Sequence, residues 1–103
     1  METDFGLKES DLSEINKFFK AFPEIEQVLI FGSRAKGNFK HGSDIDLALL
    51  GKKLKIETSL KLSYLLNEET NMPYQFDILN FHTISEPALI QHINRVGIKI
   101  YPR

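Results

Sequence analysis

The sequence predicts an α/β (α+β) fold in which a small β-sheet of about four strands is flanked by helices. Three observations predict it. Apolar residues recur at helical spacing in three separate segments, short apolar or alternating runs lie between them, and Gly or Pro marks most of the junctions. The resulting order is α-β-β-α-β-α-β, with no repeat, low-complexity tract or linker to divide residues 1–103 into more than one domain.

Each element has a local reason. Leu12, Ile15, Phe19 and Phe22 form one stripe, with Phe18 beside it; Ser10 or Asp11 caps the start and Pro23 stops the helix. Gln27 to Phe31 reads as a short buried strand ended by Gly32, and Asp44 to Leu50 as a strand closed by Gly51. Between them lies a polar, Gly-punctuated stretch from Gly32 to Ser43. Ile56 to Glu68 reads as a helix whose apolar side is Ile56, Leu60, Leu62, Leu65 and Leu66. Tyr74 to Leu79 is a third strand behind Pro73. A last helix has Ser85 as N-cap, Pro87 in its first turn, and Leu89, Ile93 and Val96 on one face. Gly97 suits a left-handed C-terminal position, and Ile98 to Tyr101 alternates as a half-buried strand.

Composition narrows the function. The 103 residues are 42% hydrophobic and carry a net charge of −1, which excludes a disordered chain and gives no basic excess for long nucleic acid. Cysteine is absent, so disulfides, thiolate catalysis and cysteine zinc sites are excluded. Met1-Glu2-Thr3-Asp4 lacks the basic-then-apolar pattern of an export signal, and the longest apolar runs, Val28 to Phe31 and Leu47 to Leu50, fall far short of a membrane span. A cytoplasmic address without membrane contact is expected. His41, His82 and His92 lack the spacing of a zinc pair, and His41 lies near the loop described next.

The chemistry concentrates in Phe31-Gly32-Ser33-Arg34-Ala35-Lys36-Gly37 and Ser43-Asp44-Ile45-Asp46-Leu47. Aspartate is depleted in strands, yet Asp44 and Asp46 sit two residues apart in an apolar one. Period-2 geometry puts both on one face, roughly 6.5–7 Å apart along the chain. Carboxylates so placed repel each other unless a cation lies between them, and they suit Mg²⁺. Asp77 is again a lone charge in an apolar strand; if that strand pairs beside the second, it lies about 5 Å from one of the others. Three such carboxylates can hold two metals roughly 3.5–4 Å apart. Gly32 lets backbone amides approach a phosphate, Ser33 adds a hydroxyl, and a helix starting near Arg34 would favour anions. Arg34, Lys36 and Lys40 add mobile positive charge.

Gly32-Ser33-x-Ala35-x-Gly37, then Ser43-Asp44-x-Asp46-Leu47, then Asp77 on a later strand resembles the minimal nucleotidyltransferase family of the polymerase-beta-like superfamily. The likeness spans nearly the whole chain. It implies a small mixed sheet of that fold and a Mg²⁺-dependent transfer of a nucleotidyl group, AMP from ATP, to a hydroxyl. It further implies that Gly32 and Ser33 hold phosphates, while Asp44, Asp46 and Asp77 bind two metal ions and Asp77 helps deprotonate the acceptor; Arg34 and Ser43, beside this motif, are added as nucleotide-binding candidates on their position alone. Relatives of this kind are antitoxins that modify a tyrosine of a small all-helical HEPN toxin, so a hetero-oligomer is implied. Two rival readings are a nucleotide-binding antitoxin that neutralises its partner by contact alone, and a free-standing transferase that modifies antibiotics.

Overall fold

The computed structural model describes residues 3–40 and 42–103; Met1, Glu2 and His41 lie outside the described residues. Helix α1 (Glu9–Lys20) leads into strand β1 (Gln27–Phe31), the short helix α2 (Gly32–Lys36) and strand β2 (Ile45–Leu50). Helix α3 (Ile56–Glu68), strand β3 (Phe76–Asn80), a single 3₁₀ turn at Phe81–Thr83, helix α4 (Pro87–Val96) and strand β4 (Ile98–Tyr101) complete the order. The sheet runs β3-β2-β1-β4 and is mixed: β1 is antiparallel to β2 and β4, whereas β2 and β3 are parallel. A parallel pair needs a crossover, and α3 supplies it.

One face of the sheet carries the main core. Val28 and Ile30 of β1, Ile45, Leu47 and Leu49 of β2 and Phe76 of β3 pack against Leu12, Ile15 and Phe19 of α1 and Leu62 and Leu66 of α3. Burying these side chains is the chief stabilising term, at about 25 cal/mol per Å² of apolar area. The other face is half covered. There Phe31, Ala48 and Ile93 are buried, with Leu29, Leu79, Phe81, Ile84 and Leu89 packed around them, so α4 lies over β1 and the 3₁₀ turn beside β2, covering this face at Phe31 and Ala48. Asp46, two residues before Ala48 on that face, lies beyond the roof.

Several boundaries and faces differ from the sequence expectation. Ser10 and Asp11 lie inside α1, whose N-cap is Lys8 with no side-chain hydrogen bond; Glu86, not Ser85, caps α4. Gly97 has φ −59°, and its role is steric, since a Cβ there would meet the Ile93 carbonyl. Asp44 precedes β2, and β3 begins at Phe76 because pairing starts where the Ile45 N–H donates to the Gln75 carbonyl at 2.8 Å. In α3 the buried stripe is Thr58, Leu62 and Leu66, while Ile56 and Leu60 are exposed. Thr58 tolerates burial because its hydroxyl donates to Glu24 Oε2 at 2.6 Å. Phe18 and Phe22 are only half-buried, against the core edge. Among the described residues no helix is long and apolar enough to cross a membrane.

Candidate active site

Phe31, Asp46 and Asp77 form one row across three strands, because Phe31 pairs with Asp46 in β1–β2 and Asp46 pairs with Asp77 in β2–β3. Partners in register share a face, and neighbouring strands lie about 4.8 Å apart, so the Asp46 and Asp77 carboxylates stand side by side. Asp44 shares the parity of Asp46 and stands exposed just outside the strand. Among the described residues none of the three forms an ion pair, since the one bridge found there joins Arg103 to Glu9, and none accepts a hydrogen bond. Burial pushes the Asp46 carboxyl above the ordinary aspartate value, and the Asp77 and then the Asp44 charge push it the same way. Asp46 therefore feels the charges of Asp77 and Asp44, and among the described residues no cation pairs with it.

The turn beside them is tightly built. Gly32 has φ +75°, a left-handed conformation that side chains rarely adopt, and a Cβ on it would fall onto the Asp46 carboxylate oxygen. The backbone requires glycine, and any side chain here would also make the Asp46 carboxyl turn away. The Gly32 N–H donates to His92 Nε2 at 3.1 Å, and the His92 ring meets Phe31 edge-on with centroids 6.1 Å apart. His92 must be unprotonated at Nε2 to accept this bond. It is the residue that sequence reasoning missed, because nothing local ties a residue of α4 to a turn 60 positions earlier. Ser33 is half-buried and its hydroxyl makes no hydrogen bond among the described residues.

Arg34 and Ser43 are placed differently from expectation. The Arg34 side chain is not mobile: the residue is only 3% exposed, donating from Nη1 to the Phe5 carbonyl at 3.0 Å and from Nε and Nη2 to the Ser43 carbonyl at 3.1 and 2.8 Å. Its guanidinium also lies 5.0 Å from the Phe39 ring centroid and 5.4 Å from that of Tyr74. A flat cation with forked donors can clamp a loop in this way, and here it fixes the residue that precedes Asp44. The Ser43 hydroxyl is committed to the turn, donating to the Lys40 carbonyl at 2.6 Å and accepting from the Lys40 N–H at 2.9 Å. Lys36 and Lys40 are exposed. His82 is also structural, its Nε2 accepting from the Gly51 N–H at 3.1 Å.

The larger cavity, about 520 Å³, lies between the start of α1, Arg34, Phe39 and the 69–74 loop, and none of the three aspartates lines it. Open carboxylate rows leave little enclosed volume, so the chemistry is located by charge and not by cavity size. Among the described residues no three His, Asp or Glu side chains converge into a ready metal cage. The donor set nevertheless fits a hard divalent ion, being all oxygen, uncompensated and partly desolvated.

The family described as Polymerase beta, Nucleotidyltransferase matches residues 13–103. No curated protein sequence matches significantly. Among solved structures, a toxin–antitoxin crystallised with AMP-PNP superposes with a TM-score of 0.73 at 21% identity, over 90% of this chain and 74% of that one. A complex of tri-AMPylated Shewanella oneidensis HEPN toxin with its MNT antitoxin gives 0.69 at 18% identity, covering 92% and 72%. A variant of the MntA–HpeT toxin–antitoxin gives 0.68 at 20%, covering 94% and 74%. At these identities the likeness speaks to fold, and it agrees with the mixed four-stranded sheet and flanking helices described above. With the family match spanning most of its length, the chain belongs to the polymerase-beta-type nucleotidyltransferases.

Proposed function

We propose that the chain is the antitoxin of a toxin–antitoxin pair and transfers AMP from ATP to a hydroxyl, a tyrosine of a small helical HEPN-type partner. The observation that carries this reading is the Asp46–Asp77 pair in register, flanked by Asp44 and held against the Gly32 turn, with no cation paired to them among the described residues. Asp44, Asp46 and Asp77 would hold two Mg²⁺ ions, which when bound neutralise the triphosphate and stabilise the entering and leaving oxygens. The chain's own groups do the rest. Gly32 and Ser33 offer close backbone approach and an uncommitted hydroxyl to the phosphates, while Arg34 and Ser43 anchor the loop from behind. Asp77, exposed at the edge strand, stands where an incoming hydroxyl can lose its proton to a carboxylate. Asp44 and Asp77 are exposed, and a helical partner would cover the acceptor on that side.

The test uses the chain co-expressed with its partner and α-labelled ATP. Label and an added AMP mass on the partner support the transfer. Neutralisation that survives Asp44→Asn/Asp46→Asn with no label moved would establish contact alone. Protection against aminoglycosides by this chain without a partner would point to the free-standing transferase instead.

A further inference from the structure

We propose that the outer face of α3 pairs with the same face of a second copy of this chain, antiparallel about a two-fold axis at Leu60. Ile56, Leu60 and Tyr64 are 68%, 63% and 57% exposed, the large hydrophobic side chains most open to solvent among the described residues. Their four-residue spacing makes one straight seam, offset by two residues from the buried stripe of Thr58, Leu62 and Leu66 and so on the opposite side of the helix. An apolar depression of about 340 Å³ adjoins it between Leu60, Lys61, Tyr64 and Leu65. The seam lies on the far layer from the carboxylates, because α3 packs on the Leu47 face of β2 and Asp46 points from the other. A partner offering a hydroxyl to those carboxylates therefore leaves this seam open.

Charge selects the second copy. Glu57 and Lys61 flank the seam on one side, and Ser59 and Ser63, small enough for close helix approach, on the other. Among the described residues neither Glu57 nor Lys61 closes an ion pair; the Glu24 carboxyl, lowered first by the Thr58 hydroxyl, feels Lys55 and Lys61 only as a field. About the two-fold at Leu60 the Glu57 and Lys61 flanks of the two copies meet on one side of the seam, where each Glu57 is level with the other copy's Ser63 and within one helical turn of its Lys61, and the two Lys61 side chains lie equally near each other. The basic turn Lys52-Lys53 ahead of α3 lies over the acidic end Glu68-Glu69 of the other copy. A seam about 20 Å long sits at the small end of specific interfaces, so the dimer is weak and concentration-dependent.

The native chain contains no cysteine, so single introduced thiols report unambiguously. With a short thiol-reactive bridge, Leu60→Cys should cross-link to itself, while Ile56→Cys and Tyr64→Cys should cross-link to each other in a mixture faster than either does alone. Sedimentation velocity over about 10 µM to 1 mM should show self-association. Leu60→Glu and Glu57→Lys should abolish it, and Glu57→Lys/Lys61→Glu should restore it, with unchanged circular dichroism. A monomer at every concentration, like-with-like cross-linking at 56 and 64, failed restoration, or a seam protected only when a helical partner protein is added would overturn the proposal.

Discussion

Replacing Gly32 by alanine tests the site geometry without touching any charged group. The change forces a side chain into φ +75°, which costs roughly 1–2 kcal/mol, and drives the new Cβ onto the Asp46 carboxylate. Gly37 is the matched control: it has φ +85° and closes the same short helix, but a Cβ there meets nothing within 4 Å. Gly37→Ala should therefore show backbone strain alone, lowering the Tm of a chain this size by roughly 5–15 °C. Gly32→Ala should lose about 0.5–1.5 kcal/mol more, the cost of turning the Asp46 carboxyl away from the new methyl. The excess has one identifiable source. In an Asp46→Ala background the carboxylate is gone, and Gly32→Ala should then cost about as much as Gly37→Ala. Urea denaturation of wild type, the single variants and the double variant closes a cycle whose coupling should reach about 0.5–1.5 kcal/mol. Equal costs for Gly32→Ala and Gly37→Ala, or a cycle with no coupling, would refute the packing of the turn on Asp46.

Arg34→Lys should cost about 2–4 kcal/mol, because a single ammonium cannot reach the Phe5 and Ser43 carbonyls together; weaker nucleotide binding at unchanged stability would instead make Arg34 a substrate ligand. Asp46→Asn should stabilise the metal-free protein at neutral pH by roughly 0.5 kcal/mol, the scale of a half-exposed charge interaction. The sign follows from the raised carboxyl: the folded chain holds that proton more tightly, so wild type loses stability as pH climbs from the ordinary aspartate value of 3.8 through the raised one, and the variant does not. Millimolar Mg²⁺ with ATP should raise the wild-type Tm by mass action, and Asp46→Asn should lose most of that rise. His92→Leu leaves the Gly32 N–H without its acceptor and should cost about 1 kcal/mol, with faster exchange of that amide by NMR. His92→Gln, which keeps an acceptor, should recover part of the loss.

What the sequence revealed and what it hid divide along physical lines. β1 at Gln27–Phe31 and α3 at Ile56–Glu68 were legible to the residue, because apolar periodicity and Gly or Pro punctuation are local properties. The Asp46–Asp77 neighbourhood was legible too, since a charge in an apolar strand is anomalous unless the face it occupies has a use. Helix caps were not: Ser10 looks like a cap, but the chain turns helical at Glu9, where tertiary packing outranks local preference. Nor was the side of α3 that is buried. Ile56 and Leu60 are as apolar as Leu62 and Leu66, and only the sheet beneath decides which pair it covers. Arg34 misled for a similar reason, because a motif gives a residue's neighbourhood but not the direction of its side chain.

The two faces of this sheet divide stability from chemistry. The α1–α3 face joins Val28, Ile30, Ile45, Leu47 and Leu49 into the main core, while the other is covered at Phe31 and Ala48 and leaves Asp77 exposed. Extending the roof over Asp46 would bury a charge at heavy cost unless a partner came with it, and among the described residues no cation pairs with it. Leaving the row open costs some repulsion, which the raised Asp46 carboxyl registers. That repulsion is relieved only from outside, by protons or by a bound cation. A cation that binds the folded chain and not the unfolded one stabilises it by mass action, so occupancy of the site and stability of the fold are coupled through the same three side chains.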